Sequence, residues 1–182
     1  MIKTNLRGRI RNTHLPKTKP LLPLFEAIIN AIQSIEEKKG NKDSCINIII
    51  ERNPDLYSKE RTPSIKSFTI EDDGVGFDEN NYNSFLTSDT LHKIDKGGKG
   101  VGRFLWLKAF EKVSIESVYS EKDEFKKRKF DFTLSDKGVE NDKSFSFFAA
   151  DAKHTYTKIQ LIDFKEEYQI ECPKKLTLLQ ER

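Results

Sequence analysis

Ile70-Glu71-Asp72-Asp73-Gly74-Val75-Gly76-Phe77-Asp78 is the stretch whose reading decides the fold. It closes a run from Ser64 that the sequence pattern predicts to be a strand. The strand then breaks into two glycines spaced by one residue, with carboxylates on either side. Gly74 and Gly76 lack a Cβ, so another group can approach the backbone closely there. Asp72 sets an acceptor at the strand end, where a buried carboxylate could take a hydrogen bond from an exocyclic amine. A tight acidic turn between two elements accounts for the same residues, because Asp-Gly is a common turn dipeptide. The neighbouring segments decide between the two.

The bulk numbers set bounds first. The chain has 182 residues, which suits one domain with a full hydrophobic core. Hydrophobic residues make up 36% and charged residues 34%, so the surface is heavily charged but the composition is not that of a disordered chain. Thirteen Phe and one Trp supply aromatic mass for a core. Net charge is +3 with both signs abundant, so overall charge does not mark a nucleic-acid binder. Basic residues do gather near the N-terminus (Lys3, Arg7, Arg9, Arg11, Lys17, Lys19) and at Lys126 to Lys129. Such runs are usually solvated faces. Nucleic-acid binding by the N-terminal run would be marked by a steep salt dependence. Cys45 and Cys172 lie far apart and in no metal-type spacing, which fits a reducing compartment. Residues 1–20 lack the apolar centre of a signal peptide, and no apolar run approaches the ~20 residues of a membrane span. The expectation is a cytoplasmic protein with no membrane partner.

Before the opening motif, residues 1–20 read as a basic arm or a short edge strand. A helix follows from about Leu21 or Pro23 to Lys39, with Leu24, Ile28, Ala31, Ile32 and Ile35 at helical spacing and Gly40-Asn41 as its stop. Its other side carries Glu26, Asn30, Gln33 and Glu37, and the first two sit one turn apart on the same side. Taken alone, that is the wet side of an ordinary amphipathic helix. Cys45 to Glu51 is a β-branched run and reads as a strand.

After the motif, residues 78–96 are polar and read as a short helix and then a mobile loop. Lys96-Gly97-Gly98-Lys99-Gly100-Val101-Gly102-Arg103 puts four glycines and three basic residues ahead of an apolar helix, Phe104 to Phe110. A glycine-rich loop at a helix N-terminus offers free N–H groups and the positive end of a dipole, which suits phosphate. A flexible linker ahead of a helix is the plainer alternative. The remainder reads as strands at Lys112–Tyr119, Glu124–Leu134, Ser144–Ala150 and Thr155–Ile162, with a terminal helix after Pro173.

Over residues 20 to 162 these pieces stand in an order that resembles the Bergerat-fold ATPases, the superfamily of gyrase, heat-shock chaperone, histidine-kinase and MutL ATP-binding domains. Leu24-Phe25-Glu26-Ala27-Ile28-Ile29-Asn30-Ala31 is similar to its first motif and Asp72-Asp73-Gly74-Val75-Gly76 to its second. Gly98-Lys99-Gly100-Val101-Gly102 is similar to the third. Tyr156-Thr157-Lys158-Ile159-Gln160-Leu161 stands at the fourth, with Tyr156 where the family usually has Gly. The resemblance implies an α/β (α+β) two-layer sandwich: a mixed, mostly antiparallel sheet with helices on one face. It implies an ATP-binding domain over residues 21–165, flanked by the basic arm or edge strand over 1–20 and by a C-terminal extension over 166–182 that is expected to lead to further domains of a longer protein.

The resemblance also implies roles. Glu26 would be the general base that activates water, and Asn30 would hold Mg²⁺. Asp72 would accept the adenine amine, with Thr157 nearby. Gly74 and Gly76 would let the base pass the strand end. Gly98, Gly100, Val101 and Gly102 would wrap the phosphates, and Lys99 would neutralise their charge. ATP and Mg²⁺ are then the expected ligands, and lid closure or a nucleotide-dependent homodimer the expected response. An ATPase and a nucleotide-sensing switch with little turnover both fit these residues. Only the first needs Glu26.

Overall fold

Alternating apolar and polar residues give the sheet one dry face and one wet face. The structure, a computed structural model of the chain, describes residues 6–38, 43–54, 62–87, 102–122, 124–147 and 154–174. Its elements in chain order are α1 (Leu6–Asn12), α2 (Leu22–Glu37), β1 (Ile46–Arg52), β2 (Ile65–Asp72), α3 (Glu79–Leu86) and α4 (Gly102–Ala109). There follow β3 (Phe110–Glu121), β4 (Glu124–Phe132), β5 (Val139–Phe147), β6 (Tyr156–Phe164) and α5 (Glu166–Gln169). The strands form one sheet in the order β1-β2-β6-β3-β4-β5.

Every pairing among these strands is antiparallel, where the sequence suggested a mixed sheet. The reason lies in β6. The passage through α3 and α4 returns β3 in the direction of β2, but the two do not touch. The last strand, β6, enters between them antiparallel to both. The two-layer α+β architecture stands.

Registered rows of apolar side chains make the core. Ile70, Ile159, Ile115 and Phe130 line up across β2, β6, β3 and β4, and Phe68, Leu161, Val113 and Phe132 form the next row. All eight are buried. The opposite face is wet and paired: Lys158 with Glu71 at 3.6 Å, Lys127 with Glu116 at 2.7 Å, and Lys112 with Asp131 at 2.8 Å.

Helices cover the dry face. α2 opens with a proline in its first turn and buries Pro23, Leu24, Ala27 and Ala31. With Ala27 and Ala31 facing the sheet, Ile32 falls to the side of the buried face and is 43% exposed. Ile32 is thus not part of the buried face that helical spacing suggested. The Trp106 indole of α4 donates to the Pro23 carbonyl at 3.1 Å and ties the two helices together. Asp78 caps α3 by accepting the Asn81 N–H at 2.7 Å.

Part of the expected basic arm or edge strand is the helix α1. Its Leu6 and Ile10 are one turn apart, and Ile10 is buried against the core. Arg7, Arg9 and Arg11 fall between and around them and disguise the helical period. At the other end, Tyr168 of α5 and Cys172 pack into the same core. The helix expected after Pro173 falls at 175–182, outside the described residues. The apolar segment before β3 also differs from expectation, because the helix stops at Ala109 and Phe110 already begins a strand. Among the described residues no helix is long and apolar enough to cross a membrane.

Phe130 is the ring on which α3 rests. It meets Phe77 at 5.8 Å, Tyr82 at 5.1 Å and Phe85 at 5.3 Å between centroids. Phe130→Ala should cost about 3–5 kcal/mol of folding stability, read as a lower midpoint in urea denaturation. A loss under about 1 kcal/mol would mean that α3 does not depend on this ring.

Candidate functional site

The apolar rows of the dry face stop two residues short of the end of β2. The next row across the sheet is Asp72, Thr157, Ser117 and Arg128. All four are buried. A polar row inside a helix-covered face is costly unless its members find partners, and all four residues do, although the buried Arg128 Nε has none. Ser117 donates to the Tyr156 carbonyl at 2.8 Å and accepts the Phe77 N–H at 2.9 Å. Its oxygen lies 3.3 Å from the Thr157 hydroxyl. Arg128 pairs with Glu79 and lies over the Tyr82 ring at 4.1 Å.

Asp72 ends the row, 3% exposed. Its Oδ1 accepts the Gly74 N–H at 3.0 Å, and the Ser34 hydroxyl of α2 also hydrogen-bonds the carboxyl. Burial outweighs both bonds and pushes its pKa from 3.8 up to about 6, with the neighbouring Asp73 adding to the rise. This is a carboxyl kept from water, whose two hydrogen bonds do not offset its burial.

The Asp-x-Gly-x-Gly segment is fastened on both sides. The Val75 N–H donates to the Ser34 carbonyl at 3.2 Å, and Lys38 donates to the Asp73 carbonyl. Thr155 donates to the Gly74 carbonyl, and the Asn81 amide to that of Gly76 at 3.1 Å. Gly74 is required by contact, since a Cβ there would lie 2.6 Å from the Ser34 carbonyl carbon. Gly76 is required twice over: its φ is +84°, and a Cβ would lie 2.5 Å from the Val118 carbonyl oxygen.

Glu26 stands at the other end of the site. Its carboxylate lies directly against Gly102, the first residue of α4, where a Cβ would collide with it. Burial raises its pKa above the ordinary carboxylate value. Glu26, Asn30 and Ser34 follow one another at four-residue steps, so they form one edge of α2. At 1.5 Å per residue that edge is about 12 Å long. It links the start of α4 to the end of β2, and Asn30 lies half-buried midway along it.

Glu26 and Gly102 therefore meet at one end, and Asp72, Gly74 and Thr157 gather at the other. Gly98, Lys99, Gly100 and Val101 lie outside the described residues. Tyr156 does not enter the site. It points to the wet face, where its hydroxyl donates to Glu116 at 2.8 Å. Ser34 and Ser117 are the residues that sequence reasoning missed. Ser34 could have been found as the next four-residue step after Asn30, whereas Ser117 needed the strand register.

Chemically, one end offers a buried acceptor with two hydroxyls nearby, suited to a polar heterocycle. The other offers a carboxylate of raised basicity beside a helix N-terminus. Among the described residues no group of three His, Cys, Asp or Glu side chains could hold a metal ion by itself. The sequence matches no protein-family model and no curated protein.

The raised pKa of Asp72 has a signed consequence. Below about pH 4 it is protonated in both states and carries no penalty. Between about pH 4 and 6 the unfolded chain ionises while the folded one holds its proton, so its contribution to stability falls as pH rises, by roughly 3 kcal/mol in all. Asp72→Asn removes the charge and keeps an acceptor for Gly74. It should therefore be more stable than the parent at pH 8 and gain little at pH 4, read by chemical denaturation at both values. A variant no more stable at pH 8 would contradict a desolvated Asp72.

Proposed function

We propose that this chain is an ATP-binding domain of the Bergerat type that hydrolyses ATP, working in the cytoplasm as part of a larger protein. The observation that carries the reading is the single edge of α2 running from the Glu26–Gly102 contact to the Asp72–Ser34–Gly74 cluster. Its length of about 12 Å suits a nucleotide laid with its base at Asp72 and its phosphates toward α4. The four sequence motifs, standing in the order of that superfamily, give separate support.

In this reading Asp72 accepts the adenine amine, and Thr157 with Ser117 completes the polar floor beside it. Gly74 and Gly76 leave the base room at the strand end. The glycine segment Gly98 to Gly102, with Lys99, receives the phosphates through backbone N–H groups. Asn30 offers one neutral oxygen and Glu26 a carboxylate one turn away. That donor set is thin for a metal held by protein alone, but it fits Mg²⁺, which keeps several waters and shares itself with substrate phosphates. When bound, the ion neutralises phosphate charge. Glu26 accepts a proton from the attacking water as that water's oxygen bonds to the γ-phosphorus and the β–γ bridging bond breaks, releasing ADP and phosphate. Its raised pKa makes it a better proton acceptor near neutral pH than an ordinary glutamate. Closure of the segment between α3 and α4, and pairing of two chains, are the expected responses to ATP.

Glu26→Ala should keep ATP binding within about threefold and lose hydrolysis by at least about 100-fold, in line with removal of a general base. Calorimetry and phosphate release measure the two. Turnover at the parental rate would remove Glu26 from the mechanism. No turnover in either protein, with binding intact, would favour a nucleotide-sensing switch. Asp72→Asn should lose adenine binding, because the amide donates where the carboxylate only accepted.

A further inference from the structure

Two clefts open on either side of α1, and cations border both. One, of about 470 Å³, is bordered by Arg7, Arg9, Arg103 and Lys137, against Asp136 alone among its acidic residues. The other, of about 460 Å³, is bordered by Arg7, Arg11, Lys108 and Lys165, against Glu167 alone. Arg7 belongs to both.

Three of these side chains, Arg7, Lys108 and Lys165, are anchored on backbone carbonyls. Arg7 donates to the Leu134 carbonyl at 3.3 Å, Lys108 to the Arg11 carbonyl at 3.0 Å, and Lys165 to the Leu107 carbonyl at 2.8 Å. A carbonyl orients a cation without cancelling its charge. Glu167, the acidic group of the second cleft, is already paired with Lys17 at 3.3 Å. In the other basic run every cation meets a carboxylate: Lys126 meets Glu121, Lys127 and Lys129 meet Glu116, and Arg128 meets Glu79. Arg7 rests on a carbonyl where the cations of residues 126–129 rest on carboxylates.

We propose that the α1 face binds the phosphodiester backbone of a nucleic-acid duplex, without regard to base sequence. Guanidinium forks match phosphate geometry. Arg7 and Arg11 are separated by about 6 Å along the helix axis, close to two nucleotide steps at 3.4 Å per strand. The aromatic floor of the first cleft, Phe85 and Phe104, is buried beneath Arg103 at 5.4 and 5.0 Å. No ring face is left there to stack an unpaired base, so backbone contact to a duplex is favoured over single-strand binding. Arg103 adjoins the glycine segment of the ATP reading, but Arg7 and Arg11, on which the test turns, play no part in it, so either proposal can fail alone.

The test is fluorescence anisotropy with a labelled DNA duplex of about 20 base pairs, between about 50 and 200 mM salt. With about four phosphates neutralised, the log–log slope should be near −3 to −4. Arg7 and Arg11 are both exposed. The Arg7→Glu/Arg11→Glu pair should lower affinity at least about tenfold and flatten the slope by about 2. Arg7→Lys/Arg11→Lys should keep most of the affinity, and Lys127→Ala/Lys129→Ala should change nothing. A thermal melt checks that each variant folds, and Arg7→Gln/Arg11→Gln replaces the Glu pair if that pair does not. No duplex binding at about 50 mM salt, or unchanged binding in the arginine variants, would overturn the proposal. So would tighter binding of a single strand of equal length. Displacement of the duplex by polyglutamate at equal charge would assign the face to an acidic protein instead.

Discussion

The carboxyl of Asp72 is shut away from water at the end of β2, and the surrounding structure follows from keeping it there. Burial raises its pKa to about 6 in spite of two hydrogen bonds. Those bonds come from Gly74, the first residue of the turn it introduces, and from Ser34, across the layer on α2. Each partner sets a further constraint. Ser34 must approach the turn so closely that position 74 tolerates no Cβ. The turn must then reverse through a positive φ at Gly76 under the β3 carbonyls. A fold selected for stability alone would set an apolar residue at the end of this row, as it does in the two rows before it. Retaining a buried carboxyl of raised pKa there is the mark of a group kept for contact with something else.

The polar row and the polar edge of α2 meet at that carboxyl. The row crosses the sheet from Asp72 to Arg128 and gives a rigid floor, since Thr157 and Ser117 lie on central strands. The edge runs along the helix to Glu26 and the start of α4. A site built on a central strand and a packed helix holds its groups in fixed geometry.

Much of this was legible in the sequence, and the exceptions have physical causes. The Asp-x-Gly-x-Gly turn and the Glu26–Asn30 pair are local patterns, readable because strand end and helix period are local properties. Ser117 was not readable, because only the pairing of β3 with β6 sets it beside Thr157. The wholly antiparallel sheet was missed for the same reason: the position of β6 is decided by packing over a long chain separation. In α1 the three arginines hid the Leu6–Ile10 step, and in α2 the buried face centres on Ala27 and Ala31 and leaves Ile32 exposed. Arg7 near the N-terminus and the cations at residues 126–129 could not be told apart until the first was seen on a carbonyl and the others on carboxylates. Tyr156 replaces an expected glycine, but strand alternation sends its ring to the wet face and away from Asp72.

The central claim is that Asp72 and the α2 edge together form a nucleotide site. Calorimetric titration of this chain with a non-hydrolysable ATP analogue, with and without Mg²⁺, tests it most directly. The account predicts one site per chain, micromolar affinity in the presence of Mg²⁺, and clear weakening when the ion is withheld. Absence of binding by both the ATP analogue and ADP would contradict it, and would leave the buried carboxyl at the end of β2 without a ligand.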